Sequence, residues 1–138
     1  MTNWNDVVLQ EFHDNDGTVQ RFGSGLVVLH TIGARSGEAR VNPVASLRDG
    51  DGWLVAATFA GQPVDPAWAH NLRAHPDLEI ETASASGGIE TVAVHAVELP
   101  EPERTAGWQR FKDELGGTFL DYEAKTDRVF PIFRLSPR

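Results

Sequence analysis

The sequence predicts a mainly β member of the α+β class, a small antiparallel barrel with short helices at its ends. Three observations predict it. Apolar, β-branched runs recur about six times along 138 residues. Most are joined by short glycine-bearing turns of the hairpin kind. The helical segments are few and short, and they lie before, between or just ahead of the strands. The length suits one domain spanning 1–138, with enough chain to bury a core without staples. A hydrophobic fraction of 41% and a charged fraction of 23% are those of a globular protein. No linker, internal repeat or low-complexity stretch divides the chain.

The elements follow in order. Asn3 to Phe12 predicts a short helix with Val7, Val8 and Phe12 apolar, stopped by Asp14 to Gly17. Leu26 to Ile32 (LVVLHTI) has the composition of a buried strand. Gly33 to Gly37 is a glycine turn, and Arg40 to Leu47 a second strand, with Pro43 at an edge or bulge. Asp49-Gly50-Asp51-Gly52 supplies the positive φ of a tight hairpin leading into a third strand, Trp53 to Thr58. Asp65 suits the N-cap, and Pro66 the first position, of a helix through Asn71 and Leu72 that Pro76 ends. Leu78 to Ala83 is a fourth strand, turned by Ser86-Gly87-Gly88 into a fifth, Ile89 to Leu99. After Pro100, Trp108, Phe111 and Leu115 fall at helical spacing, Gly116-Gly117 breaks that helix, and Phe119 to Lys125 adds another turn or two. Val129 to Leu135 closes the chain as a sixth strand.

Composition excludes several kinds of chemistry. With no cysteine there is no disulfide, thiolate metal site or cysteine nucleophile. The histidines (His13, His30, His70, His75 and His95) form no H-x-x-x-H pair, so no metal site is expected and each is read as structural or exposed. No Gly-x-Ser-x-Gly elbow, P-loop or dinucleotide fingerprint is present. The acidic residues are scattered without a catalytic pair. A net charge of −8 argues against a nucleic-acid partner. The opening MTNWNDVVLQEFHDNDG lacks the basic segment and apolar core of a secretory leader. No apolar run approaches the roughly 18 residues that span a bilayer. The expectation is a cytoplasmic protein with no integral membrane segment, working as a monomer or homodimer.

Within this acidic chain Arg21, Arg35, Arg40 and Arg48 all precede the first lysine, Lys112. Arginine grips phosphate and carboxylate groups bidentately, so the bias hints at local anion recognition. The turn Gly33-Ala34-Arg35-Ser36-Gly37 with Arg40 behind it can face an anion with backbone N–H groups and two guanidinium groups. An ordinary hairpin with solvated arginines has the same residues. In the block Ala60-Gly61-Gln62-Pro63-Val64-Asp65-Pro66-Ala67-Trp68, Gly61 permits close backbone approach and the helix start offers free N–H groups. Trp68 either covers an aromatic ligand or belongs to the core. Tyr122, the only tyrosine, either donates a hydrogen bond to developing charge or packs a helix.

Taken together and in order, these blocks resemble the deazaflavin-dependent nitroreductase family, the F420H2-dependent reductases of actinobacteria. The resemblance rests on Thr31 through Pro43 (TIGARSGEARVNP), Asp49-Gly50-Asp51, Ala60-Gly61 through Pro66-Ala67-Trp68-Ala69-His70-Asn71-Leu72, and Tyr122-Glu123-Ala124-Lys125-Thr126, and it covers about residues 26 to 135. It implies a six-stranded antiparallel split β-barrel, of the kind that also binds FMN, with short flanking helices. It implies an oxidoreductase that passes a hydride from reduced coenzyme F420, an 8-hydroxy-5-deazaflavin, to a small organic acceptor such as a quinone, enone or nitroaromatic.

The site residues it implies are Arg35, Ser36 and Arg40 on the cofactor's phosphate and oligoglutamate tail. Asn42, Pro43 and Val44 would lie along the ring or its linker, and Gly61, Trp68, Asn71 and Leu72 would complete the groove. Tyr122 and Thr58 are the candidate catalytic groups. The chain departs from the family pattern at Ala60, where the first of two glycines stands, and at Phe59, where many relatives are polar or basic. Its single late tyrosine points away from nitroimidazole activation. Two alternatives stand beside this reading: a protein that holds a deazaflavin, flavin or lipid-like molecule without turnover, and an FMN-binding barrel in which one arginine meets a single phosphate.

Overall fold

The structure, a computed structural model, describes residues 4–18 and 25–138, with side chains from residue 6 onward. Asn3 and Arg21 lie outside the described residues. Six antiparallel strands close into a barrel in the order β1 (Leu26–Ile32), β2 (Ala39–Asp49), β3 (Gly52–Ala56), β6 (Ile132–Pro137), β5 (Ile89–Glu98), β4 (Asp77–Ala83), with β4 paired back onto β1. Four helices lie against it: α1 (Trp4–Asp14), α2 (Ala67–Ala74), α3 (Glu103–Leu115) and α4 (Gly117–Lys125).

The nearly unbroken apolar run of β1 has a physical reason, since both of its faces are covered. Val27 and Leu29 enter the barrel interior with Val55, Ile80, Val94, Phe133 and Leu135. Leu26 and Val28 point the other way and are covered by Val8 and Phe12 of α1. β3 repeats the pattern. Trp53 and Val55 face inward, while Leu54 and Ala56 lie in a cluster with Trp108 and Phe111 of α3 and Phe119 of α4. α2 adds Trp68, Ala69 and Leu72 to the interior cluster.

The barrel splits along β2. Residues Ala39 to Ala45 pair with β1, whereas only Ser46 to Asp49 pair with β3. The first half of β2 therefore has a strand on one side only among the described residues. After Ala56 the chain leaves the sheet through a 3-10 turn, Phe59–Gly61, before entering α2. Pro43 falls in that half-paired stretch, where a missing N–H costs little.

Several expected boundaries move, three of them with a clear physical cause. The third strand ends at Ala56 rather than Thr58 because the Arg128 guanidinium takes the carbonyls of Ala57 and Thr58. The sixth strand begins at Ile132 rather than Val129. Pro131 has no N–H to extend the ladder, although its carbonyl still accepts from Ala57 N–H at 2.9 Å. Asp65 is not the helix cap. α2 starts at Ala67, with Pro66 in the capping position and no side-chain cap bond. The Asp65 carboxylate instead pairs with Arg73 at 3.1 Å and with Arg128.

Candidate functional site

The half-paired edge of β2, the turn after β3, the start of α2 and the inner face of α4 enclose a groove of two lobes. The larger, of about 680 Å³, is lined by Asn42, Pro43, Val44 and Ala45 of β2, by Ala56 and Thr58 to Ala60, and by Pro66 to Trp68 with Gln62. Thr118, Phe119 and Tyr122 of α4 complete it. None of these lining residues carries a charge. The smaller lobe, of about 550 Å³, is lined by Gly33 to Ser36, Arg40, Asn42, Ala67, His70 and Asn71. It holds Arg35 and Arg40 and no carboxylate among its lining residues. Asn42 and Ala67 line both lobes, so the two meet there. One end of the groove is thus apolar and aromatic, the other cationic, in a chain whose net charge is −8.

Local chemistry builds the basic lobe. Gly37 N–H donates to Gly33 O at 3.0 Å and Gly33 N–H to Glu38 O at 2.8 Å, closing the turn, and Gly37 sits at φ +71°, where glycine is favoured. A Cβ on Gly33 would strike Ser36 Oγ. Ser36 Oγ accepts from Glu38 N–H at 3.1 Å, so the hydroxyl shapes the turn as well as lining the lobe. Asn71 reaches across from α2. Its Oδ1 accepts from Ala34 N–H at 2.9 Å and its Nδ2 donates to Thr31 Oγ1 at 3.2 Å. The amide is buried and fixes the arginine turn to the helix. Arg40 is half exposed and pairs with the neighbouring Glu38 at 2.9 Å. A surface pair of this kind contributes about 0–1 kcal/mol and gives way readily to a stronger anion.

Three hydroxyls line the apolar lobe, those of Thr58, Thr118 and Tyr122. Thr58 and Tyr122 both line it, and neither side-chain oxygen has a hydrogen-bond partner among the described residues. Tyr122 packs edge-on against Phe119, with centroids 5.7 Å apart. Trp68 resolves the alternative left open by its sequence position, because it does both things: it packs against Phe133 in the core at 6.1 Å between centroids and presents part of its surface to the lobe.

Two of the expected groove residues lie elsewhere. Leu72 is 1% exposed, belongs to the barrel interior and lines neither lobe. Gly61 also lines neither. At φ +79° it lies under the end of α4, where a Cβ would come within 2.9 Å of Tyr122 O. Its value is close approach, as its residue type suggested, but to a helix rather than to a ligand. The other ten expected residues line one lobe or both.

Sequence reasoning missed Arg128 and His70. His70 lines the basic lobe beside Arg35 and Arg40. His70 shares a helix face with Ala67, three residues earlier, and that spacing is its local signal. Arg128 stands 66 to 71 residues from the carbonyls it binds, and no local signal marks it.

The residues of the groove suit a planar, tailed, anionic redox carrier: a ring-sized apolar lobe, joined to a cationic lobe where two guanidinium groups are available rather than one. The comparisons agree with this fit. Residues 5–137 match the family model described as F420H(2)-dependent quinone reductase. An F420H(2)-dependent quinone reductase of Mycobacterium tuberculosis (strain ATCC 25618 / H37Rv) is 32% identical over 112 residues, covering 81% of this chain and 73% of that protein. Among solved structures, an F420-H2 dependent reductase (FDR-A) superposes with a TM-score of 0.69 at 26% identity, covering 81% of this chain and 94% of the other. A protein described as a domain-swapped dimer superposes with a TM-score of 0.69 at 25% identity, covering 93% and 91%. The split barrel, its groove and these matches together lead to one conclusion: the chain belongs to the F420H(2)-dependent quinone reductase family and is an F420-dependent reductase.

Proposed function

We propose that the chain reduces a small organic acceptor, of the quinone class first and enones or nitroaromatics next, at the apolar lobe of the groove. The observation that carries this reading is the partition of charge along one continuous groove. An uncharged aromatic lobe meets a lobe with two arginines and no carboxylate.

Bound there, F420H2 supplies a low-potential hydride for a two-electron reduction. The protein's own residues bind and orient. Arg35, Arg40 and the backbone of the Gly33–Gly37 turn hold the anionic tail, and Ser36 and Asn71 keep that turn in shape. Pro43, Val44 and Trp68 would seat the ring, and Asn42, which lines both lobes, would lie between ring and tail. The acceptor would share the apolar lobe with the ring, where Phe119 and Tyr122 of α4 line it. Tyr122 Oη–H and Thr58 Oγ1–H donate hydrogen bonds to the acceptor oxygen as negative charge builds on it, which lowers the barrier to hydride arrival. A quinone would take up the hydride and one proton from solvent and leave as the hydroquinone. The whole chain works as one reductase domain in the cytoplasm. No helix among the described residues is long and apolar enough to cross a membrane.

Titration with oxidised F420 and with FMN, followed by tryptophan fluorescence, tests the binding half, because Trp68 lines the ring lobe. Selective quenching by F420 is expected. Equal quenching by FMN overturns the assignment of the basic lobe to a long anionic tail. Turnover of menadione with F420H2 tests the catalytic half, and a protein that binds F420 yet reduces no quinone, enone or nitroaromatic is a carrier.

A further inference from the structure

We propose that Arg128, in the connection between α4 and β6, is the positioning residue for the catalytic wall of the groove, a role that rests on the groove reading above and deepens it. Arg128 lines neither lobe, yet one guanidinium gathers the whole segment that forms the wall. Nε donates to Gln62 O at 3.0 Å, Nη1 to Ala57 O at 3.2 Å and Nη2 to Thr58 O at 2.8 Å, while Nη1 also pairs with Asp65. The side chain is mostly buried, and its guanidinium lies over the Phe130 ring at 4.8 Å. Its own backbone N–H is fixed by Thr126 Oγ1 at 3.1 Å.

The segment it grips needs holding. Phe59 and Ala60 stand at φ +47° and +54°, the left-handed region, in two consecutive residues that both carry a Cβ. Both line the ring lobe, as does Thr58 immediately before them. Left to local preference, such a turn relaxes toward ordinary backbone angles and carries the Thr58 hydroxyl and the Phe59 ring away from the groove. Three carbonyls bound to one rigid, planar donor set the turn's shape from outside. Asp65 fixes the guanidinium in turn and is itself held by Arg73, which also bonds Glu98 of β5 at 2.8 Å. The wall is thereby referenced to α2 and to the barrel. A lysine offers a single point of attachment and cannot reproduce the fork.

The test uses the full chain. In ligand-free protein, amide exchange is measured for Gly61 and Gln62, whose N–H groups bond to Thr58 O and Phe59 O at 2.9 and 3.0 Å. Arg128→Ala is expected to speed exchange at these two amides at least tenfold while amides of β1 and β5 keep their protection. It is also expected to weaken F420 binding several-fold and to lower kcat more than it raises KM for quinone. Arg128→Lys recovers part of each loss. Adding Ala60→Gly to Arg128→Ala restores exchange and binding toward the parent values, because glycine accepts the left-handed angle unaided.

Unchanged exchange at Gly61 and Gln62 overturns the proposal, as does a uniform rise across the barrel, which marks a residue of the fold rather than of the wall. Exchange that rises while F420 binding and the kcat-to-KM balance stay fixed also overturns it. If the parent chain itself binds no F420, the functional reading fails separately, and the exchange measurement still reports on Arg128.

Discussion

At the scale of single residues, the groove divides labour between charge and hydroxyl. Arg40 is free to leave Glu38 for a stronger anion, since the pair is solvent-exposed. A hydrogen bond to a charged group contributes about 1.5–3 kcal/mol. Discounted for exposure, Arg40→Ala is expected to raise the Kd for F420 about tenfold. The same titration in rising salt should show the parent converging toward the variant as tail contacts are screened. Tyr122→Phe tests the other function. Losing one donor to a developing oxyanion costs up to roughly 100-fold in kcat. F420 affinity should not change, and single-turnover kinetics against equilibrium titration separates the two. Equal loss in both measurements would assign Tyr122 to packing with Phe119 instead.

At the scale of elements, the strong couplings run between segments far apart in sequence. Asn71 on α2 fixes the arginine turn through Ala34 and Thr31, forty residues away for the latter. Asn71→Ala leaves a buried hydroxyl and an N–H without their partner, a cost of about 1–3 kcal/mol. Urea unfolding should show that loss in the midpoint, and sulfate or F420 binding at Arg35 and Arg40 should weaken with it. Gly61 couples the 3-10 turn to α4 in the same way. A Cβ there would meet Tyr122 O at 2.9 Å on a backbone at φ +79°. Gly61→Ala is therefore expected to push α4 outward, destabilising the chain by at least about 1 kcal/mol. A shift in the near-UV signal of Tyr122 would accompany it.

At the scale of the whole molecule, carboxylates paired with arginine tie the barrel wall together. Asp49, the last residue of β2, accepts from Arg134 of β6 at 2.7 Å and from Arg110 of α3 at 3.0 Å. The Arg134 bond is the main reason its carboxyl is held below the ordinary range. Glu98 of β5 is lowered chiefly by its bond to Arg73 of α2. Burial disfavours ionised Glu81, but hydrogen bonds from His30 and His13 together outweigh it and leave its carboxyl lowered too. For a group whose folded pKa lies below its unfolded value, the unfolded chain binds the proton first on acidification. The stability such a group adds is complete above the ordinary carboxylate pKa and is lost as pH falls through the lowered one. Thermal midpoints should therefore drop from about pH 5 downward. Asp49→Asn should flatten that limb, and a variant with an unchanged acid limb would show that Asp49 contributes nothing to it.

The sequence by itself determined the strand count, the hairpins and the residue types of the groove. Those features are local: glycine turns, alternating or doubly buried apolar runs and an arginine-bearing bend each act over a few residues. Ten of the twelve expected site residues line the groove for that reason. The tertiary structure alone decided the rest. Only closure of the barrel leaves one half of β2 with a strand on one side only among the described residues, and there an apolar lobe opens beside a basic one. Asp65 reads locally as a helix cap, but a guanidinium from beyond α4 competes for its carboxylate and wins. Leu72 falls within a motif that borders the ligand groove, yet the helix turns its side chain into the core. Arg128 carries no local signature, because its role exists only once α4 has brought it against a turn some seventy residues earlier.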